Sequence, residues 1–269
     1  MSRTGAVISE LYELEDLREL EALLSAIWER PDEPPINTDL LRALAHSGNY
    51  VAGARVGGRL VGGVVGWLGA RAANELHLHS HILGVVADSQ VAGLGFELKQ
   101  DQRGWCLERG VKTVEWTTDP LVRRNAYFNL TKLGAHVSEY LVNFYGAMTD
   151  GLNAGEESDR LLISWDLDSP HARAAAEGRA AEPEVEGLLR DGAAAILTVG
   201  LAGEPVAGKA SGARVLICQV PEDIVVLRHT NLALARAWRL ALRKAMVEAF
   251  AAGYRLSGAT RAGWYVLER

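Results

Sequence analysis

Three histidines at alternate positions, His77, His79 and His81, lie in the run Leu76-His-Leu-His-Ser-His-Ile-Leu-Gly-Val85. Residues two apart in an extended strand point to one face, so this spacing lines up three imidazoles. A neutral imidazole can take a proton from an amine directly or through water, which makes His79 and His81 candidate bases. The same spacing could hold a metal ion, but no carboxylate or cysteine set accompanies it, and no metal is expected; packing or solvent contact are the plainer readings. A second alternating set, Glu115, Thr117 and Asp119, offers rival bases on one face of another strand. Asp119 precedes Pro120, where it could meet a substrate ammonium or equally cap the following helix.

Between these two sets runs Gln90-Val91-Ala92-Gly93-Leu94-Gly95, at the junction of an apolar strand and a helical stretch. Glycines at 93 and 95 let backbone approach an anion closely. The first N–H groups of a helix have no internal partner and carry the positive end of its dipole, so the junction suits a pyrophosphate. A glycine turn that merely starts a helix is the plain alternative. Arg123 and Arg124 add charge that could pair with phosphates or with a carboxylate of an acyl group or acceptor, although adjacent arginines at a helix start often face solvent.

The elements that must position these residues follow from periodicity. Residues 6–14 read as extended, 17–29 and 38–45 as helices, and 50–56 with 60–68 as a hairpin turned by Gly57-Gly58. Leu20, Leu23, Leu24 and Ile27 recur at helical spacing, and the proline-containing stretch from Trp28 to Asn37 reads as a connection or as pocket lining. The spacing predicts a helix over 121–133 closed by Gly134, a strand over 161–167, a surface excursion over 169–193, strands at 195–201, 214–220 and 264–267, and one long helix over 230–252. Arg236, Arg239 and Arg243 are expected on the solvated face of that last helix.

Composition narrows the class. The chain has 269 residues, 48% apolar and 23% charged, with a formal charge of −6. That balance argues against general affinity for nucleic acid, and no apolar run approaches the ~18 residues that span a bilayer. The start of the chain lacks a basic-then-apolar leader, so a cytoplasmic enzyme is expected. Cys106 and Cys218 lie far apart in apolar elements and read as reduced packing residues.

With strand, phosphate turn, helix, strand, helix and strand in this order, the chain resembles the GNAT superfamily of CoA-dependent N-acyltransferases over roughly residues 5–150. Gln90 to Gly95 matches its Arg/Gln-x-x-Gly-x-Gly/Ala signature, and Ala126 to Gly134 resembles its second CoA-side motif. The combination of Leu-His-Ser-His-Ile-Leu-Gly-Val, Asp-Pro-Leu, Arg-Asn-Ala, Asn-Leu-x-Lys-Leu-Gly-Ala and Asn-Phe-Tyr-Gly is similar to a subgroup that includes amino-acid N-succinyltransferases.

The resemblance implies an α/β (α+β) fold: residues 1–150 as an acyl-CoA-binding catalytic domain with a mixed, mostly antiparallel sheet flanked by helices, 151–194 as strand and linker, and 195–269 as a smaller C-terminal α/β lobe. It implies that backbone groups of Leu83 and Val85 pair with the pantetheine arm, that N–H groups from Val91 through Ala92, Gly93, Leu94 and Gly95 hold the pyrophosphate, and that an N–H near Gly84 or Val85 meets the oxyanion, Gly84 leaving room for the thioester. Acetyl-CoA or succinyl-CoA would be the co-substrate and a small-molecule amine, in the sharper version an amino acid, the acceptor. A homodimer is a possible assembly.

The chain also departs from that pattern. Leu130 stands where many members place a tyrosine acid, and Arg123 stands where an asparagine is usual, with Asn125 displaced by two. Tyr127, Tyr140 or Tyr145 could replace the acid, with Tyr145 preferred. Acetyl transfer to another small amine, or acyl-CoA binding without catalysis, are the alternatives.

Overall fold

In the computed structural model, which describes residues 4–72, 75–87, 92–146 and 157–269, the chain divides into two units. One is Met1–Trp116 with Asp166–Asp168, the other Thr117–Trp165 with Ser169–Arg269.

The first unit is laid out by alternation on its strands. Its strand order is β1 (Val7–Glu10), β2 (Tyr50–Val56), β3 (Arg59–Ala70), β4 (Leu76–Val85) and β5 (Thr113–Thr118), with β5 crossing the unit boundary. The first four strands pair antiparallel in sequence, and β4 pairs parallel with β5. The sheet is therefore mixed and mostly antiparallel, as expected. Gly57 and Gly58, with φ of 57° and 85°, supply the left-handed residues that a tight β2–β3 turn needs.

Helices cover both faces. On one side, α1 (Leu14–Ile27) and α2 (Thr38–His46) set Leu17, Leu20, Leu24 and Leu41 against Val51, Leu60 and Val65. On the other, α3 (Leu94–Glu108) places Leu94 against the backbone at Gly62, while its Asp101 accepts a 2.6 Å hydrogen bond from Tyr50. Burying these leucines from both faces stabilises the strands that carry the histidines.

The second unit begins with α4 (Arg123–Ala126), which widens into a π-helical turn, Tyr127–Lys132, where the predicted helix was a single α-helix. Leu133 N–H reaches back to Phe128 O, five residues earlier, and Gly134 at φ 69° then ends the element. Strands β6 (His136–Leu141) and β7 (Arg160–Asp166) pair antiparallel, and the Trp165 indole donates to Leu133 O at 2.9 Å. The predicted surface excursion instead holds α5 (Pro170–Ala176) and α6 (Val185–Arg190). Ser169 caps the first, with proline just inside, and Glu184 caps the second.

A second sheet follows, in the order β11 (Arg255–Ala259), β12 (Trp264–Glu268), β10 (Val215–Gln219), β8 (Ala194–Val199) and β9 (Pro205–Ala207). β8 and β10 are parallel and the other pairs antiparallel. The long helix expected over 230–252 is two helices, α7 (Ile224–Thr230) and α8 (Leu232–Ala251). Asn231, at φ −152° and ψ 79°, leaves helical space, and its side chain accepts from Leu234 N–H to start the second. Local capping by asparagine outweighs the continuous apolar pattern there.

Candidate active site

Strands β4 and β5 touch over a very short ladder, at Leu78↔Val114 and His79↔Glu115. β4 continues for six residues beyond that point, so its edge on the β5 side from Ser80 to Val85 is not engaged by β5. An open strand edge of this kind can accept an extended chain of amides as if it were a further strand.

A bulge re-aims the side chains at this place. The β3–β4 register runs Val65↔Ile82 and then Gly66↔Ser80, leaving His81 as the extra residue on β4. His77, His79 and His81 share the α1 face. Trp67 lies between the latter two, with ring centroids 4.9 Å from His79 and 4.6 Å from His81. Gly69 gives the His77 ring its place, because a Cβ there would lie 2.9 Å from the imidazole and the ring would have to shift. Burial and the neighbouring imidazoles push His79 down to about 4, and desolvation also lowers the more exposed His81, so His79 is a neutral imidazole at physiological pH.

Glu115, directly across from His79, is buried and held by Arg71, whose Nη2 lies 2.7 and 2.8 Å from its two oxygens. His77 Nε2 is 3.7 Å from the same carboxylate, and His77 Nδ1 is buried with no hydrogen-bond partner among the described residues. Arg71 itself is half exposed, which leaves guanidinium surface on the histidine face. Among the described residues no group of three or more His, Cys, Asp or Glu side chains is arranged to hold a metal ion.

The opposite, α3 face of the same strands carries a residue that the sequence analysis missed. Lys99 is 3% exposed, and its Nζ donates to Gln102 Oε1 at 2.7 Å and to Ser80 Oγ at 3.2 Å while lying 3.8 Å from the centre of the Trp116 ring. Burial pulls the lysine down to about 7. A signal existed: Lys99, Gln102 and Cys106 share the buried stripe of α3 at spacings of three and four.

The anion turn is described from Ala92 onward; Gln90 and Val91 lie outside the described residues. Gly93 precedes α3 with φ 97°, a left-handed conformation suited to glycine, and among the described residues no side chain caps the helix. Gly93 O receives the N–H groups of Phe96 and Glu97, so those of Gly93, Leu94 and Gly95 form the leading end of the helix. Gly95 lies beside the Leu83 side chain, whose Cδ2 would be 3.7 Å from a Cβ there.

Gly84 has a packing role on the α1 face. A Cβ at this position would stand 2.8 Å from the Trp28 ring and 2.9 Å from Ile27 Cδ1, so glycine is needed for α1 to pack on β4. Trp28 and the neighbouring end of α1 thereby cover the strand beside Leu83 and Val85.

The remaining predicted residues belong to the second unit. Asp119 is buried and anionic: Arg239 grips it with two 2.9 Å hydrogen bonds, Arg228 adds one of 2.5 Å, and Leu121 N–H donates at 2.9 Å. Desolvation opposes its charge, but the two guanidiniums win and hold it well below the usual carboxylate range. A carboxylate fixed in this way anchors structure and does not serve as a base. The same contacts correct the solvated-stripe expectation, since Arg239 is buried and Arg243 pairs with Glu157 and Asp159; only Arg236 of that set is exposed.

Tyr145 is 50% exposed, with its hydroxyl 3.0 Å from Thr117 Oγ1 and the Arg160 guanidinium 5.4 Å from its ring centre. Tyr140 is instead buried, donating to Asp159 at 2.7 Å. Arg123 and Arg124 line a cleft of about 460 Å³ with Tyr127, Lys132, Glu222 and Arg261. Asn125 is half-buried in α4, and Leu130 is buried in the π-helical turn.

No family model and no curated protein matches the sequence. Solved structures give partial likenesses. An aminoglycoside acetyltransferase from an uncultured soil metagenomic sample, in complex with sisomicin, shares 22% identity over 43% of this chain and 78% of its own, at a TM-score of 0.39. Naa50 from Arabidopsis thaliana, in complex with a bisubstrate analogue, shares 16% over 60% and 97%, at 0.46. An acetyltransferase of the GNAT family from Streptococcus pneumoniae shares 15% over 59% and 97%, at 0.48. The activities in those names are those proteins' own.

Proposed function

We propose that the protein transfers an acyl group from acyl-CoA to the primary amine of a small molecule, within a ternary complex. The observation that carries this reading is the parting of β4 from β5 after His79↔Glu115, which leaves the edge from Ser80 to Val85 open among the described residues, just before a helix led by Gly93, which has no side chain to cap it. An extended diamide arm fits the open edge and a pyrophosphate fits the helix end, and the chain places the two in succession. On the α1 face, neutral His79 stands at the point of parting and accepts the proton from the cationic nitrogen of the tetrahedral adduct.

The sharper version is transfer of succinate from succinyl-CoA to an amino acid. Arg71, half exposed beside Glu115, supplies a guanidinium on the histidine face that suits an acceptor carboxylate. In this reading the protein works in the cytoplasm, where its two buried thiols remain free. Acyl-CoA binding without chemistry is the second reading, favoured by the buried Leu130 at the position of the family's usual acid.

The test is to incubate the purified protein with acetyl-CoA or succinyl-CoA and pooled amino acids, following thiol release and product mass. Succinyl-dependent release with an N-succinyl product supports the sharper version. Release only with acetyl-CoA leaves the acyl-transfer reading and removes succinate. Tight CoA binding with no product from any amine favours the second reading.

A further inference from the structure

Acyl transfer from a thioester ends with a thiolate that needs a proton, and the tyrosine that the resembled family uses for this is here Leu130. The region where β4 and β5 separate holds an alternative. The last ladder pair is His79↔Glu115, so Ser80 and Trp116 are the first residues beyond it on the two strands. Lys99 lies under both, 3.2 Å from Ser80 Oγ and 3.8 Å from the Trp116 ring centre. The ammonium is thus placed at the apex of the opening, on the side away from the histidines.

The chain order fixes which part of a bound acyl-CoA comes near this apex. A pyrophosphate at the start of α3 lies beyond the Val85 end of β4, so the arm runs back along the strand from Val85 toward Ser80. That distance is about 17 Å at the rise of an extended strand. The thioester therefore ends where the strands meet. Ser80 Oγ accepts the lysine N–H, and among the described residues its own proton goes to no other acceptor, which leaves it to donate.

We propose that Ser80 and Lys99 form the proton route to the leaving thiolate, an inference that rests on the acyl-transfer reading. As the C–S bond breaks, the Ser80 O–H bond breaks and an S–H bond forms. The Ser80 oxygen takes a proton from Lys99, and lysine is left neutral. After the thiol departs, water returns a proton through Ser80. Ser80 touches the sulfur, whereas Lys99 acts through it.

The electrostatics suit this assignment. Burial brings the lysine down to about 7, below the ~8.5 of an ordinary thiol, so proton transfer toward a thiolate is downhill. Among the described residues, the groups that face Lys99 include the Cys106 thiol, which burial keeps protonated, the neutral Gln102 and Ser80, and the Trp116 ring, with neutral His79 across the sheet. The ring favours the charged form and offsets part of the desolvation.

The experiment measures kcat and KM against pH for the wild type, Ser80→Ala, Lys99→Met and Lys99→Arg, using the acyl-CoA and amine that give turnover. In the wild type kcat should fall on the alkaline side of about pH 7 as Lys99 loses its proton. Ser80→Ala and Lys99→Met should each lower kcat about ten- to hundredfold, leave the KM for acyl-CoA within about threefold, and abolish that alkaline limb. Lys99→Arg, charged throughout the range, should likewise lack the limb. Should Lys99→Met fail to fold, Ser80→Ala, which removes one oxygen, still decides. An alkaline limb that persists unchanged in Ser80→Ala, with kcat within about threefold of wild type, overturns the proton route while leaving acyl transfer standing. Absence of any wild-type turnover removes the acyl-transfer reading and this inference with it.

Discussion

His79 and Glu115 face one another across β4 and β5 in the last register pair before the two strands separate. One is a desolvated neutral imidazole, the other a carboxylate already gripped by Arg71. Among the described residues, that division leaves His79 as a group with an unused lone pair at the opening.

His79→Gln should therefore lower kcat about a hundredfold while changing the KM for acyl-CoA little, the pattern of a lost proton acceptor. Because burial lowers His79 to about 4, the wild-type rate should stay flat from pH 7 to 5 and decline only as pH approaches that value. Steady-state rates across pH 4–7 test this; an acid limb centred near 6.5 would contradict it.

Lys99 should leave its mark on stability as well as on rate. Its folded value, about 7, lies below the ordinary 10.5, so between these limits the unfolded chain binds more protons than the folded one. Stability of the wild type must then rise with pH across that window, and the burden is greatest below pH 7. Thermal melts of wild type and Lys99→Met from pH 6 to 10.5 should show the wild type gaining on the variant as pH rises. Parallel curves would argue against a buried ammonium.

Asp119 is held by two buried guanidiniums, so Asp119→Asn leaves positive charge without its counter-ion. A loss of about 3–5 kcal/mol is expected, read from the denaturant midpoint. The same substitution should not shift the pH dependence of any remaining activity.

Gly84→Ala puts a methyl group 2.8 Å from the Trp28 ring. Overpacking of this kind costs about 1–3 kcal/mol, and because Trp28 must move, tryptophan fluorescence should change along with the melting temperature.

Much of this architecture can be read in the residues, and the parts that cannot have identifiable causes. The Gly57-Gly58 hairpin, the leucine stripe of α1 and the histidine face all follow from period and turn chemistry. Asn231 was hidden because its effect is local: a single side-chain cap divides an apolar pattern that runs unbroken through α7 and α8. Arg239 reads as a solvated arginine until Asp119, 120 residues earlier in the chain, is brought to it. Lys99 was overlooked for the same reason, since its companions Ser80 and Trp116 come from two strands that only the fold makes neighbours.

His81, as the residue without a partner on β3, has a consequence for chain length rather than for chemistry. Before it, odd-numbered residues look toward α1; after it, Ile82 and Gly84 do, as a shift of reading frame. Removing this one residue would set Ser80 next to Ile82 opposite the adjacent Gly66 and Val65, so the ladder would close without a bulge and every other side chain of β4 would keep its face. Pairing His81 with Val65 in a regular ladder would instead turn Ile82 and Gly84 away from α1 and bring Leu83 toward the Trp28 ring, where it now meets hydrogen.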